Sequence, residues 1–528
     1  MTKWGALGLL LTASGCGPAG EAWCGAGGCD FSAHEWSALT SLAGLGAPPD
    51  DPSNAYASSD VAAALGHQLY FDTRFSGNAT LLDTLRRPVP YARAPLGQPT
   101  GIACVTCHDV TRAGTDVSSI PNTVSIGAGW YDVNSQQTVN AAHYTLIYWN
   151  ARNDSLWAQI VAVTESFVSM GSNRLKVVWL MKQKYAAAYA QAFASPGGYT
   201  LDFLPDFAAT SASVEAATLP DGTANPRAQM CVLENGACPA ECVSHDNPTA
   251  GGPPVCWPRF PLQGRPGSLA GCQAGVASEP FRDAFDCMAA ADKALINRAY
   301  VNFAKAIASY EHRLTSADSR FDRFMAEGPK STALSAEEQR GARLFVGKAS
   351  CIECHNTPFF SDSGLHNVGV PSAGIPVPTE RDCPAGGVCD CVNGVNCLPW
   401  GGYDGIRKLK TNGFKRTSEW SDAPTDTSRQ AYVDMELTDA LKGTWRTPSL
   451  RDVALTAPYM HDGSYKTLEE VVSAYNRGGA SSGFPGTKSV RIAPLGLTPT
   501  EERDLVAFLN SLTGAPVPAP WGTPPVLP

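Results

Sequence analysis

The chain alternates between stretches with a helical apolar period and long stretches with none. Val61, Leu65 and Leu69 recur every four residues from Asp60 onward, which places them on one face of an α-helix. Further helices are expected over Arg174 to Phe193 and from Ala291 to about Arg313. Ser335 followed by Glu338 reads as a capping box, each side chain satisfying an amide of the first turn, and opens a helix through Leu344 and Phe345. Thr467 with Glu470 repeats that signal, with Gly478 as the stop. There Leu468, Val471, Val472 and Tyr475 share one apolar face, which turns the Tyr475 phenol inward. Thr498, Pro499 and Glu501 open a last helix with Leu505, Phe508, Leu509 and Leu512 on one side. Strand-like alternation is sparse, so the expected fold class is mainly α with long loops.

The unpatterned stretches divide the chain. Residues 17–55 are rich in Gly, Ala, Ser and Pro and read as a flexible tether. Residues 196–290 and 371–435 are dense in Pro, Gly and Cys and read as insertions. The expected layout is a leader at 1–16, the tether, two folded units at 56–325 and 326–515 that carry these insertions, and a tail at 516–528. With 528 residues and 44% apolar content there is material for two cores. The net charge of -9 gives no basic field for nucleic acid or anionic lipid, so nucleic-acid binding is set aside.

Lys3 precedes a short apolar run through Leu11, and Ala13-Ser14-Gly15-Cys16 ends it. This reads as an export signal with a lipoprotein-like cleavage site, so the expected location is the periplasm, anchored to the outer membrane by a lipid on Cys16. A plain signal peptide that contains a cysteine is the alternative. The other cysteines outside the two motifs below fall in even groups: Cys24 and Cys29; Cys231, Cys238, Cys242, Cys256, Cys272 and Cys287; Cys383, Cys389, Cys391 and Cys397. Behind an export signal these read as local disulfides whose pairing the sequence leaves open.

Cys104-Val-Thr-Cys107-His108 and Cys351-Ile-Glu-Cys354-His355 carry the chemistry. In C-x-x-C-H the two thiols add to haem vinyl groups, and the following His is then placed to ligate the iron. Two covalent c-type haems are expected, with His108 and His355 as proximal ligands. The rivals are one zinc held by both C-x-x-C pairs, or two redox dithiols, and the His after each pair disfavours both. An electron carrier closes both irons with a strong sixth ligand, whereas an enzyme leaves one open. Neither His nor Met occurs between His108 and His143, which suits an open first iron. For the second iron the nearby candidates are His366, Met460, His461 and Tyr475. On periodicity alone, an ordinary hydrogen-bonded core tyrosine is the better reading of Tyr475 and a ligand the lesser one.

Residues 65–72 (LGHQLYFD) with Ser76-Gly77-Asn78, the first motif, Asn140-Ala141-Ala142, Trp149-Asn150-Ala151-Arg152 and residues 154–159 (DSLWAQ) resemble the N-terminal haem domain of bacterial di-haem cytochrome c peroxidases and MauG proteins. Ala304 to Arg313 with Phe321-Asp322-Arg323-Phe324, Gly341 to Gly347, the second motif, Phe360-Ser361-Asp362, residues 366–370 (HNVGV), Thr447 to Arg451 and Ala457 to Gly463 resemble the C-terminal one. The resemblance implies two cytochrome c-type helical domains whose haems face each other across a calcium ion. It makes Trp149 the electronic bridge between haems and Asn134 a calcium ligand, with the backbone carbonyls near Arg446 and Pro448 beside it. Without the resemblance, Trp149 reads as a packed core aromatic. Tyr475 stands where the cytochrome c peroxidases carry a methionine ligand and MauG a tyrosine. A phenolate there would favour the ferric and higher states of the second iron.

The resemblance also implies a distal group beside the first haem. Gln159 agrees with the family, but Ser169 stands in the place of its acid/base glutamate and Val163 in that of a common proline. Glu165, four residues before Ser169, is the candidate substitute; as a solvated loop carboxylate it would have no role. The expected activity is therefore a haem oxidoreductase acting on hydrogen peroxide. Its electrons would come from a small cytochrome or cupredoxin, or, in the MauG manner, from aromatic side chains of a partner protein. A non-catalytic carrier or redox sensor is the competing function. Many members of the family are dimers, and a homodimer is kept open.

Overall fold

The computed structural model describes residues 24–25, 28–80, 82, 93–116, 125–131, 133–214, 230–245, 255–266, 285–371, 390–391, 397–398 and 401–528. The leader with Cys16, and Cys272, Cys383 and Cys389, lie outside these. The helices are α1 (Ala33–Thr40), α2 (Asp60–Phe71), α3 (Cys104–Cys107), α4 (Leu156–Thr164), α5 (Arg174–Ala192), α6 (Phe207–Ala212), α7 (Ala290–Glu311), α8 (Arg320–Glu327), α9 (Ala336–Val346), α10 (Gly402–Thr411), α11 (Gln430–Asp434), α12 (Leu468–Asn476) and α13 (Pro499–Asn510). Described strands are two to four residues long and pair only as two-stranded ribbons. The molecule is mainly helical. No described helix is long and apolar enough to cross a membrane.

Two apolar clusters organise these helices. The first joins Leu65 and Leu69 of α2, Trp157 and Ile160 of α4, Val177 and Val178 of α5, and Ile296, Phe303 and Ile307 of α7. Here α2 crosses α7 so closely that a Cβ on Gly66 would stand 1.9 Å from the Ala306 carbonyl oxygen. The second cluster gathers Leu39 of α1, Phe321 and Phe324 of α8, Phe345 of α9, Val472 of α12, and Leu505 and Phe508 of α13. Phe345 and Phe508 lie 5.3 Å apart at its centre.

Capping explains where the elements begin. Ser335 and Glu338 close a reciprocal capping box on α9, and Thr498 and Glu501 another on α13 with Pro499 in the first turn. At α12 only half of the expected box forms. The Thr467 hydroxyl accepts from Glu470 N–H, but the Glu470 carboxylate accepts from Lys466 N–H at 2.6 Å, one residue before the cap.

The expected tether is corrected from Asp30 onward. Ser32 and Glu35 form a capping box for α1, Leu39 and Leu42 are fully buried, and Glu35 pairs with Arg343 of α9 at 3.0 Å. Farther on, Ser53 accepts from Trp157 Nε1 and Asn54 donates to the Lys305 carbonyl. This stretch is docked at two places, through Leu39 and Leu42 and again through Ser53 and Asn54, with largely exposed residues between them.

The first insertion is stapled as expected. The ribbon Cys242–His245 with Val255–Pro258 carries disulfides Cys231–Cys242 and Cys238–Cys256, and Cys287 is disulfide-bonded as well. From residue 401 the second insertion is helical. Gly405 of α10 approaches so closely that a Cβ would meet the Asn150 carbonyl oxygen at 1.5 Å. Arg416 then pairs with Asp51 and Asp426, and its amide donates to Asp154.

Candidate haem sites

The two C-x-x-C-H segments lie on different cavities. Cys104, Cys107 and His108 line one, together with Leu156, Gln159, Ile160 and Val163 of α4 and residues 168–170. Cys351, Cys354 and His355 line the other, with Phe345 of α9, Leu505 and Leu509 of α13, and Leu468, Val471, Val472 and Tyr475 of α12. The zinc rival fails on this placement, because the two thiol pairs do not converge. Among the described residues these four cysteines are the free ones. Burial pushes the Cys104, Cys107 and Cys351 thiols up to about 12.

Each histidine is set for one coordination direction. His108 Nδ1 is 2.9 Å from both the Gly114 and Gln136 carbonyl oxygens, and His355 Nδ1 is 2.7 Å from the Phe360 carbonyl. Carbonyls only accept, so Nδ1 carries the proton in both rings and the Nε2 lone pair remains for a metal. Burial holds both imidazoles below their ordinary pKa, in the neutral form that ligation needs. Apolar walls, paired thiols and an oriented imidazole fit a covalently held haem in each cavity.

The candidates for the second iron separate. His366 Nε2 lies 2.7 Å from Asp362 Oδ2. That bond, with the Cys354 thiol beside it, raises His366, and the same bond lowers Asp362, so the Nε2 of this imidazole is engaged by a carboxylate. His461 stacks on Trp445, with centroids 3.9 Å apart. Met460 also lines the cavity. Tyr475 lines the cavity and is half-buried, its phenol pushed up by desolvation and by Cys351 and Cys354, and its hydroxyl has no hydrogen-bond partner among the described residues. A phenol that faces the cavity without a protein partner is open to a metal there.

The cavities adjoin. Asn134, Gln136, Tyr144, Trp149 and Arg446 line both. Trp149 is fixed on two sides: its Nε1 donates to the Asn134 carbonyl at 2.9 Å, and its own carbonyl accepts from Arg446 N–H at 2.7 Å. The buried Arg446 guanidinium lies 3.4 Å over the Tyr144 ring. Asn134, Arg446 and Pro448 meet along the second cavity and supply only neutral oxygens. Asn134 Oδ1 accepts from Ser135 N–H and its Nδ2 donates to the Pro458 carbonyl.

On the α4 wall of the first cavity the sequence expectation is half corrected. Gln159 lines the cavity, and its Nε2 donates to the Tyr148 hydroxyl at 3.3 Å. Glu165 does not line it. Its carboxylate is held by Arg174, Nε to Oε1 at 2.9 Å and Nη2 to Oε2 at 2.7 Å, with the Arg174 amide on Oε1 as well. An ion pair of that geometry keeps both oxygens occupied, so Glu165 is structural. Ser169 lines the cavity and donates to Ser166 Oγ.

Three cavity residues were not found from sequence: Tyr144, Tyr148 and Glu311. Glu311 ends α7, buried, with no hydrogen-bond partner for its carboxyl among the described residues, and burial raises it to about 8. The signal that could have found it is a carboxylate next to Tyr310 on a helix otherwise buried on all sides. Tyr148 could have been flagged by its place beside Trp149.

Comparison with known proteins gives a consistent picture. A family profile described as di-haem cytochrome c peroxidase matches residues 60–217. The chain is 28% identical over 468 residues to cytochrome-c peroxidase IdrP1 of Denitromonas iodatirespirans, covering 88% of this chain and 84% of that protein. It is 30% identical over 211 residues to the methylamine utilization protein MauG of Methylorubrum extorquens, covering 40% and 44%. The crystal structure of the dihaem peroxidase BthA from Burkholderia thailandensis superposes with a TM-score of 0.51 at 17% identity, covering 91% of this chain and 94% of that one, which is a likeness of fold.

Proposed function

We propose that this chain acts as the di-haem cytochrome c peroxidases and MauG proteins it is similar to, reducing hydrogen peroxide at the iron beside His108 and passing the oxidising equivalents through Trp149 to the iron beside His355. The observation that carries this reading is a pair of haem-binding cavities that share Trp149 as a common wall. When bound, the two haems supply the electrons that break the peroxide O–O bond. The protein does the rest. His108 and His355 present Nε2 to the irons, Gln159 offers its amide to a ligand in the first cavity, and Tyr475 holds the second iron as a phenolate. Among the described residues His108 is the one His lining the first cavity, and Met170 lines it as well; this reading leaves Met170 off the iron, so that the iron stays open. Two cytochrome c-type domains, one around each apolar cluster, complete the arrangement.

The finer points follow from the same residues. Tyr475 in place of Met favours the MauG-like variant, in which aromatic side chains of a partner protein supply the electrons; a small cytochrome or cupredoxin is the donor if Met460 is the ligand. A calcium ion held by Asn134 and the carbonyls of Arg446 and Pro448 would find no carboxylate among those three and would keep several waters. The disulfides of the first insertion and the export signal support a periplasmic, lipid-anchored protein. The absence of a distal carboxylate favours a second reading, a carrier that does not turn over peroxide. Replacing His108 with both haems still attached separates them. Loss of peroxide consumption supports the enzyme; unchanged consumption rules out the His108 side as the reactive one.

A further inference from the structure

The turn that carries Trp149 presents a second aromatic to the first cavity. Ile147 N–H donates to the Asn153 carbonyl at 2.8 Å and Ala151 N–H to the Tyr148 carbonyl at 3.1 Å, closing a tight loop. Tyr148 takes φ +73°, a left-handed conformation that a bulky side chain rarely adopts and that persists only where the surroundings impose it. They do so here. Arg446 Nε donates to the Tyr148 carbonyl at 3.3 Å, and the Arg152 guanidinium lies 3.4 Å over the ring. The side chain is 9% exposed and its remaining surface faces the cavity and an adjoining polar cleft that Arg152, Asp404 and Lys408 also line.

The direction of one hydrogen bond matters most. Gln159 Nε2 donates to the Tyr148 oxygen, so the phenolic proton is not spent on Gln159, and it has no acceptor among the described residues. Of the other groups that could move a proton, Ser169 donates to Ser166 and Glu165 is held by Arg174. Glu311 lines the same cavity without a hydrogen-bond partner among the described residues, but beside the Cys104 attachment thiol, Tyr70 and Tyr310 rather than on the α4 wall with Gln159. Resting on the peroxide reading above, we infer that Tyr148 is the acid–base group of the first haem site, in the role that the family's glutamate plays and that Ser169 cannot fill.

The step balances without a further reactant. Peroxide binds with one oxygen toward the iron and the outer oxygen against the phenol. The proton on the inner oxygen passes to the Tyr148 oxygen as the phenolic proton passes to the outer oxygen. The O–O bond would break, the outer oxygen would leave as water with its own proton and the phenolic one, the inner oxygen would stay behind at the oxide level on the haem side, and the pair of haems would supply the two electrons. Tyr148 ends as the phenol it began as, with Gln159 still bonded to its oxygen.

The test is rapid mixing of the diferric holoprotein with hydrogen peroxide, following the ferric haem absorbance, in the native protein, Tyr148→Phe, and Tyr148→Phe with Ser169→Glu. Positioned acid–base groups contribute about 100-fold or more. The Phe variant should therefore react about 100-fold more slowly, with its ferric electron paramagnetic resonance spectrum and cyanide affinity unchanged, and the added glutamate should restore about tenfold or more. A Phe variant that reacts within about twofold of the native protein overturns the inference. If that variant also alters the spectrum, the double variant decides, and failure to recover overturns it. A native protein inert to peroxide overturns the peroxide reading itself, and this inference with it.

Discussion

Glu311 is the residue whose burial has the clearest thermodynamic consequence. Its carboxyl is raised to about 8 by burial, above its ordinary value of 4.5. Below pH 4.5 it is protonated in folded and unfolded chains alike, and burial carries no ionisation cost. As the pH rises toward 8 the unfolded carboxyl ionises and the folded one does not, so stability is lost across that window, on the order of 5 kcal/mol in total. Glu311→Gln should therefore gain melting temperature over the native holoprotein progressively from pH 5 to pH 8. A constant difference across that range would show that the carboxyl ionises freely in the fold. Glu165 teaches the opposite lesson. Its place four residues before Ser169 made it the natural distal candidate, but a partner nine residues ahead, Arg174, takes both oxygens. Spacing alone does not reveal which carboxylate an arginine will claim.

Among the elements, those with a cap and an apolar stripe were legible and the rest were not. α9 and α13 begin where Ser335 and Thr498 promised, because a side-chain acceptor before an apolar run solves the unpaired amides of a first turn. Ser335→Ala should cost about 1 kcal/mol, read as a shift in the urea midpoint with unchanged slope. α4 was not called as a helix because Leu156, Trp157, Ala158, Ile160 and Val161 are buried around most of its circumference, which erases the period. α10 was lost inside a segment read as an insertion, where Ile406 and Leu409 alone mark its buried side. The crossing of α2 and α7 makes its own prediction. Gly66→Ala drives a methyl against the Ala306 carbonyl and should destabilise by about 1–3 kcal/mol, measured by the same denaturation; a neutral result would mean that the two helices separate readily.

Across the whole molecule, the segment 133–150 and the segment 445–461 form the seam between the two cavities. Asn134 N–H donates to the His461 carbonyl, Arg446 N–H to the Trp149 carbonyl, and Ser449 N–H to the Tyr144 hydroxyl. No sequence signal joins residues some 300 positions apart, so the motifs were readable one by one while their shared wall was not. The same holds for α1, which docks against α9 through Leu39 in the shared apolar cluster and through the Glu35–Arg343 pair. Two attached haems should be recovered per chain by haemochrome assay, falling to one when Cys354 and Cys351 are both replaced by Ser. The most direct measurement is the electron paramagnetic resonance spectrum of the ferric protein with both haems attached, beside Tyr475→Met. An open iron at His108 and a phenolate-held iron at His355 give one high-spin and one low-spin signal, with the low-spin signal changed in the variant. Two low-spin signals indifferent to the substitution would contradict both assignments.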